Sequence, residues 1–204
     1  MSLLQGAVTI GFVRASYRFS IYHSLYEAAD LKERAYVDAY RSFESRYDSL
    51  LGLALIKHLS GRDIVLGHNI KGKPYVKESS ENVSITHSSG IIAAVLSPWK
   101  IGIDLEKNVN KTDEARLLTA TGFTAPSPFS FTVLWTRAEA YSKMLGCGFR
   151  GDPFPLFQEA ASSTSRWHFH TDTVAENVVL AVCSEKPFSF QLQEIFEDTL
   201  LQSR

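Results

Sequence analysis

The chain has 204 residues, of which 45% are hydrophobic and 12% are aromatic, and its formal net charge is -1. A chain of this composition can bury a sizeable core, either as one domain or as two small ones. The near-neutral charge argues against a broad basic surface for DNA or RNA. Nucleic acid is therefore not an expected partner.

The cysteines and the apolar stretches indicate the cellular compartment. Cys147 and Cys183 are too few for a disulfide framework and lack metal-ligand spacing. Residues 1–12 have neither a basic start nor a small-residue cleavage site, so a signal peptide is not expected. The uncharged stretch 117–136 is interrupted by glycine and proline, which argues against a membrane-spanning helix. A cytoplasmic protein without a membrane segment is therefore expected.

The first half of the chain is predicted to form a strand, two helices and then several short strands. One helix is expected at residues 24–42, and a second at residues 47–59, where leucines form an apolar stripe and Gly61 supplies the stop. The period then changes to that of strands, with turn residues at 71–74 and 88–90. The predicted strands are residues 7–13, 63–66, 83–87, 91–96 and 100–106.

The second half repeats this order of helices and then strands. Its clearest helix is predicted over residues 130–145 and ends at Gly146. The predicted strands are residues 166–171, 177–183 and 188–192. The predicted fold is therefore α+β, with two similar lobes that each contain a small antiparallel sheet packed with helices. The predicted domains are residues 1–106 and 107–204, with a site between them.

Two acidic residues fall on one face of a predicted strand. In the segment 101–106, strand alternation places Asp104 and Glu106 on the face opposite Ile101, Ile103 and Leu105. Two like charges at this spacing raise each other's pKa, whereas a hard dication neutralises both. The pair indicates a magnesium or manganese site, although a strand end with two solvated acids explains it equally well.

The helix predicted at residues 130–145 carries three residues at intervals of four. Trp135, Glu139 and Lys143 therefore share one stripe of this helix. A glutamate and lysine one turn apart are often a surface pair of little energetic value. Here the stripe begins with a tryptophan, which favours partial burial, so the pair is expected to line a cleft. It would supply a third carboxylate and an ammonium group to a metal-bound phosphate.

Two further segments carry polar residues that, taken alone, are weak evidence of a functional site. Lys73 lies in a predicted tight turn after Gly72, and Thr86 and His87 end a predicted strand. A turn lysine is usually solvated, and a histidine beside hydroxyl residues is more often a structural hydrogen-bond partner than a base.

Taken together, these segments resemble a known family. The motifs in chain order are Gly72-Lys73-Pro74, residues 82–88, Gly102-Ile103-Asp104-Leu105-Glu106 and Trp135-x-x-x-Glu139-x-x-x-Lys143. In order and spacing they resemble the 4'-phosphopantetheinyl transferases, and most closely the long, pseudo-dimeric, surfactin-synthetase-type class. The likeness extends over about residues 47–143, with weaker agreement through the strand predicted at 177–183.

The resemblance implies a magnesium-dependent transfer of the phosphopantetheine arm of coenzyme A to a serine of an acyl or peptidyl carrier protein. Adenosine 3',5'-bisphosphate would be released. Asp104, Glu106 and Glu139 would hold the metal, and Glu139, directly or through water, would take the serine proton.

The remaining residues of these motifs would bind phosphate. The resemblance gives Lys143 and Lys73 the task of neutralising phosphate oxygens, and places Thr86 and His87 at the phosphates on the adenosine side. The two-lobed length also fits a monomer.

The sequence departs from the family at several positions. Ala138 replaces the usual lysine before the helix glutamate, Asp48 stands near a usual basic residue, and Thr86 replaces a serine. Two alternatives therefore stay open. One is a magnesium-dependent hydrolase or nucleotidyl transferase that acts on another pyrophosphate, and the other is a family member that binds carrier protein or coenzyme A without catalysis.

Overall fold

The computed structural model describes residues 6–70, 72–120, 122, 130–148, 154–162 and 166–202. Within these residues the chain forms helices and two β-sheets, so the prediction of a mixed α+β fold is confirmed. No helix in this part of the chain is long and apolar enough to cross a membrane. The uncharged stretch 117–136 is described only in part, and Lys71 of the predicted turn lies outside the described residues.

The secondary structure elements alternate between blocks of helices and blocks of strands. The strands are β1 (Gly6–Arg14), β2 (Leu66–His68), β3 (Pro74–Val76), β4 (Asn82–Ser88), β5 (Ile91–Ser97), β6 (Ile101–Lys107), β7 (His168–Ala175), β8 (Val178–Ser184) and β9 (Phe188–Glu194). The helices are α1 (Phe19–Ala28), α2 (Leu31–Asp38), α3 (Phe43–Ser60), α4 (Lys111–Ala120), α5 (Phe131–Leu145), α6 (Phe154–Ala161) and α7 (Glu197–Gln202).

The prediction of one helix at residues 24–42 is wrong, because the segment contains a break between α1 and α2. The Asp30 side chain accepts hydrogen bonds from the backbone N–H groups of Lys32 and Glu33, while the Glu33 side chain accepts one from the Asp30 backbone. This capping box starts a new helix, since Asp at an N-cap satisfies otherwise unpaired N–H groups. By contrast, α3 ends at Gly61 as predicted, with a left-handed φ of 60°.

The first sheet has six strands in the order β2-β3-β4-β5-β1-β9. Its pairs are antiparallel except for β1 and β9, which run parallel from Gly6–Phe188 to Phe12–Glu194. The sheet is therefore mixed and not purely antiparallel as predicted. Parallel neighbours need a long crossover, and here most of the chain lies between the two strands.

The second sheet has three antiparallel strands in the order β6-β8-β7, and α5 packs closely against it. A Cβ atom on Gly102 would lie 2.1 Å from the carbonyl oxygen of Ala140, so the glycine lets the backbone of α5 approach β6. This close packing fixes the position of the α5 side chains relative to those of β6.

The two sheets are joined by a shared apolar core and by hydroxyl groups of β4. The core contains Ile10 from β1 and Ile103 from β6, both fully buried. Ser84 Oγ accepts a hydrogen bond of 3.0 Å from the N–H of Ile103, and Thr86 Oγ1 accepts one of 3.2 Å from Leu105. Because β6 is the edge strand of its sheet, these hydroxyls satisfy backbone donors that would otherwise be buried without partners.

The chain passes from the first sheet to the second between β5 and β6, and it returns to the first sheet between β8 and β9. The predicted domain boundary near Lys107 falls at the end of β6, which already belongs to the second sheet, and β9 returns to the first. The division into residues 1–106 and 107–204 stays a prediction. What the topology fixes is that β4, β6 and α5 meet at the junction of the two sheets.

Candidate active site

Asp104 is the most buried acidic residue at this junction. Its neighbours on β6, Ile103 and Leu105, point into the core, as strand alternation predicts. Asp104 is 4% exposed, and its Oδ1 accepts hydrogen bonds from Thr86 Oγ1 at 3.0 Å and from Lys143 Nζ at 2.6 Å. Its Oδ2 is buried and has no hydrogen-bond partner within the described residues. A buried carboxylate oxygen without a donor is costly, and Oδ2 keeps its capacity to bind a ligand.

Helix α5 brings Glu139 and Lys143 to Asp104. The Ser130 side chain caps the start of the helix, and Gly146, with a φ of 68°, ends it as predicted. Lys143 Nζ is 2.6 Å from Asp104 Oδ1, and Glu139 lines the same cleft as both residues. The stripe predicted on this helix therefore does face the acidic strand.

Glu106 completes the acidic group, which we call the carboxylate cluster (Asp104, Glu106 and Glu139). Glu106 Oε1 accepts a hydrogen bond of 3.2 Å from Trp135 Nε1. Trp135 thus contributes more than apolar surface, because its indole N–H orients one acid of the cluster. All three members line one cleft, as the sequence predicts for residues on these two faces.

The three acids share a raised pKa. Burial raises the pKa of Glu139 to about 7, helped by the charge of Asp104 and opposed by Lys143. Burial also raises the pKa of Glu106, again with Asp104 adding to the effect. For Asp104 itself, burial raises the pKa although Lys143 and Thr86 favour the charged form. One lysine therefore does not neutralise the cluster, and a further cation would stabilise its ionised form.

The donor set fits a hard divalent cation. Within the described residues, no group of three or more His, Cys, Asp and Glu side chains is already arranged as a metal centre. Magnesium, however, is commonly held by one or two carboxylates together with water and substrate phosphates. The partnerless Oδ2 of Asp104 and the neighbouring acids Glu106 and Glu139 provide such oxygen donors. The residues present therefore fit a magnesium ion that a phosphate ligand completes.

The cluster forms one side of a cleft of about 370 Å³ at the junction of the sheets. The cleft is also lined by Tyr36 of α2, Tyr40 just after α2 and His68 of β2, which we call the aromatic side. The rings of Tyr36 and His68 stack with centroids 3.7 Å apart. Burial lowers the pKa of His68, which favours its neutral imidazole. The cleft thus combines a charged side with a neutral, ring-lined side.

Thr86 and His87 lie in the same cleft but face opposite sides of β4. Thr86 is buried towards β6, where it donates to Asp104, whereas His87 is exposed on the side of α3. His87 Nδ1 lies 3.5 Å from Oδ2 of Asp48, a residue of α3. The predicted pair is therefore brought to the cleft, with Thr86 next to the carboxylate cluster and His87 next to another acid.

Lys73 lies near the cluster but points to a different group. Its Nζ donates to the carbonyl oxygens of Lys143 at 2.7 Å and of Met144 at 3.4 Å. These carbonyls are at the end of α5, where a cation is favourable. Burial lowers the pKa of Lys73. The residue lines an adjoining cavity of about 290 Å³, which shares Glu139 and Lys143 with the cleft.

The departure at Ala138 has a structural explanation, and the neighbouring Arg137 points elsewhere. Ala138 is fully buried and packs in a cluster with Leu134 and Phe157, so a lysine there would have to leave a core position. The Arg137 guanidinium lies 4.5 Å from the centroid of the Phe169 ring. It is therefore directed to β7, away from the carboxylate cluster.

Several lining residues were not identified by sequence reasoning as part of the site. Asp48 was noted only as a departure, yet it is 8% exposed and its Oδ1 accepts a hydrogen bond of 3.1 Å from Tyr17 OH. Burial raises the pKa of Asp48, against the effects of Tyr17 and His87. Tyr36, in the short helix α2, also gives no sequence signal of a site. Only the three-dimensional approach of α2 and α3 to β4 reveals these residues.

Comparison with known proteins gives no assignment. No model of a known protein family matches the chain, and no curated protein sequence matches it significantly. The functional argument therefore rests on the residues of the cleft and their geometry.

Proposed function

We propose that the protein transfers the 4'-phosphopantetheine group of coenzyme A to a serine hydroxyl of an acyl or peptidyl carrier protein, with magnesium as cofactor. One observation carries this proposal. The acids Asp104, Glu106 and Glu139 meet Lys143 at one side of a cleft, and Asp104 Oδ2 there has no partner within the described residues. The resemblance of these same residues to the transferase motifs selects the reaction.

We also propose that the fold is the two-lobed fold of the transferases. The transferase-like arrangement has two similar lobes with the active site between them. In support, the carboxylate cluster comes from β6 of the second sheet and from α5, which packs against that sheet, whereas His68 and His87, which line the same cleft, belong to strands of the first sheet. The proposal places the protein in the cytoplasm. The protein would act as a monomer, because residues of one chain line the cleft.

The metal would be held by Asp104, Glu106 and Glu139, and it would offset the charge that develops on the pyrophosphate oxygens. Lys143 contacts Asp104 and lines the cleft, so its ammonium also reaches a phosphate bound there. Thr86 holds the buried carboxylate in place by donating to its Oδ1. These residues bind and orient the donor before any bond changes.

Glu139 is the base of the proposed reaction. It lines the cleft beside Asp104 and Lys143, and both Lys143 and a bound magnesium ion would favour its ionised form, which can accept a proton. It would accept the serine proton, directly or through water, as the serine oxygen attacks the phosphorus of the pantetheine phosphate. The bond from this phosphorus to the bridging oxygen breaks, and adenosine 3',5'-bisphosphate leaves.

Lys73 and His87 have supporting roles in this scheme. Lys73 holds the end of α5 through the carbonyls of Lys143 and Met144, which positions Lys143, and its remaining N–H can bind phosphate. His87 would bind on the adenosine side, next to Thr86 on the same strand.

The experiment combines the protein with coenzyme A and magnesium, with and without apo carrier proteins of fatty acid, polyketide and peptide synthesis. Phosphorus NMR follows the nucleotide products, and intact mass follows the carrier. Transfer predicts adenosine 3',5'-bisphosphate only when carrier is present, together with a phosphopantetheine mass gain. Pyrophosphate cleavage without carrier would favour a hydrolase. Binding of coenzyme A without any product would favour the non-catalytic alternative.

A further inference from the structure

The charges of the cleft are unbalanced on the side away from the carboxylate cluster. Three lining acids belong to the cluster, where Lys143 and the proposed metal ion would offset their charge. Asp48 is a fourth lining acid, and it lies on α3, on the other side of β4. The proposed donor, coenzyme A, carries a further phosphate on its ribose. A carboxylate at this point repels such a group.

Tyr17 holds the Asp48 side chain in place, and the Asp48 carboxylate can still accept a hydrogen bond from a ligand. Its Oδ1 accepts a hydrogen bond of 3.1 Å from Tyr17 OH, whereas its Oδ2 is 3.5 Å from His87 Nδ1. The second contact is longer than a normal N–H···O hydrogen bond, so Oδ2 can accept a shorter bond from a ligand hydroxyl. The carboxylate also faces the His87 imidazole, which could otherwise attract a phosphate.

The contacts of β4 place Asp48 in the same cleft as the cluster, so a nucleotide bound in this cleft would bring its ribose near Asp48. Thr86 touches Asp104 of the cluster, and the next residue on β4, His87, touches Asp48. The pyrophosphate belongs at the cluster, and the neutral rings of Tyr36 and His68 offer a surface for the base. A ribose that joins the two therefore passes Asp48.

We propose that this transferase prefers a donor with an unphosphorylated ribose, 3'-dephospho-coenzyme A, over coenzyme A, and that Asp48 determines this preference. The inference rests on the proposed function and specifies its substrate. The physical reason is general, because an acidic residue accepts hydrogen bonds from a ribose hydroxyl, whereas a phosphorylated ribose requires a basic residue.

The reaction with this donor balances in the same way as with coenzyme A. The serine oxygen forms a bond to the phosphorus of the pantetheine phosphate, and the bond from that phosphorus to the bridging oxygen breaks. Glu139 accepts the serine proton. The leaving group is adenosine 5'-monophosphate, and no oxidant, reductant or further reactant is needed.

The test compares kcat/KM for the two donors with one carrier protein. The wild-type protein is expected to favour 3'-dephospho-coenzyme A by at least about tenfold. Asp48→Asn should reduce this ratio, and Asp48→Lys should reverse it. Asp38→Asn is the matched control, because Asp38 accepts from Tyr26 OH at the end of α2 and does not line the cleft. Its ratio should equal that of the wild-type protein.

Nucleotide binding gives a second readout that does not depend on transfer. Calorimetry with magnesium is expected to show tighter binding of adenosine 5'-monophosphate than of adenosine 3',5'-bisphosphate, with the difference removed by Asp48→Asn. Transfer from coenzyme A at an equal or higher kcat/KM would overturn the inference and leave the proposed function standing. Absence of transfer from either donor would contradict the proposed function, and the two nucleotide affinities would then decide the inference.

Discussion

Two buried carboxylates in this protein each form a short ion pair with a lysine. Asp104 Oδ1 lies 2.6 Å from Lys143 Nζ, and Glu33 Oε2 lies 2.7 Å from Lys57 Nζ. Asp104 is 4% exposed and Glu33 is 3% exposed. Each has a second, buried oxygen without a hydrogen-bond partner within the described residues. Judged by the ion pair alone, either acid could be the centre of a site.

The surroundings of the two pairs separate them. Glu33 belongs to the capping box of α2, where its Oε2 also accepts a hydrogen bond of 3.0 Å from the Asp30 backbone. That role is local and structural. Asp104 has two further acids beside it, and its charge raises the pKa of both Glu106 and Glu139. A buried ion pair is therefore weak evidence of function, whereas like charges crowded in a cleft point to a cation and its ligand.

The largest expected effect is on catalysis. Asp104→Asn removes the charge of the most buried acid in the cluster and should lower the rate of carrier modification by roughly a thousandfold. Glu33→Gln is the matched control, since it changes a buried acid paired with a lysine outside the cluster. Its rate should stay within about a factor of two at a temperature where both proteins are folded. Equal loss of rate in both variants would contradict the distinction between the two pairs.

Replacing Lys57 or Lys143 tests the difference between the two ion pairs by measuring protein stability. Lys57→Met leaves Glu33 buried without its cation, and the free energy of unfolding should fall by about 3 kcal/mol. Lys143→Met should also destabilise the protein, because Asp104 loses its cation. Thermal unfolding with and without magnesium distinguishes the two. Magnesium should stabilise the Lys143 variant more than the wild-type protein, whereas it should stabilise the Lys57 variant and the wild-type protein equally, because both keep the carboxylate cluster intact. An equal effect of magnesium on the two variants would place the cation site elsewhere.

Thr86 links the cluster to the other sheet, and its replacement should have a smaller effect. Thr86→Val removes the acceptor for the Leu105 N–H and the donor to Asp104, which should cost about 2 kcal/mol in chemical denaturation. Thr86→Ser keeps the hydroxyl and should recover most of this loss. If the valine and serine variants are equally stable, the hydroxyl does not join the sheets.

The smallest expected effect is a pH dependence of stability in the metal-free protein. The folded-state pKa of Glu139, about 7, lies above the ordinary value of 4.5, so the folded state binds this proton more tightly than the unfolded state. The contribution of Glu139 to stability should therefore fall as the pH rises from about 4.5 to 7. Glu139→Gln removes this contribution.

The melting temperature of the Glu139→Gln variant, measured in EDTA, should rise relative to the wild-type protein between pH 5 and pH 7.5. Added magnesium should reduce the difference, because a cation favours the ionised carboxylate. A constant difference between the two proteins across this range would show that Glu139 has an ordinary pKa in the fold.

The parts of the structure that depend on local periodicity were predictable from sequence. The stripe of Trp135, Glu139 and Lys143 follows from helix geometry, and the common face of Asp104 and Glu106 follows from strand geometry. The capping box at Asp30 and Glu33 could also have been read from the sequence, and it would have divided the predicted helix.

The parts that depend on distant segments were not predictable in this way. No local pattern indicates that β9 pairs in parallel with β1, because nearly the whole chain separates them. The same holds for Asp48, which meets His87 only because α3 packs across the first sheet. The carboxylate cluster was therefore accessible from sequence, while the part of the cleft around Asp48 required the structure.

The most direct test of the central claim is the intact mass of an apo carrier protein after incubation with this protein, magnesium and a phosphopantetheine donor. We supply coenzyme A and 3'-dephospho-coenzyme A separately. The account predicts a gain of one phosphopantetheine group, which disappears in EDTA, with Asp104→Asn and with a carrier whose acceptor serine is alanine. An unchanged mass for fatty acid, polyketide and peptide carriers with both donors would contradict it.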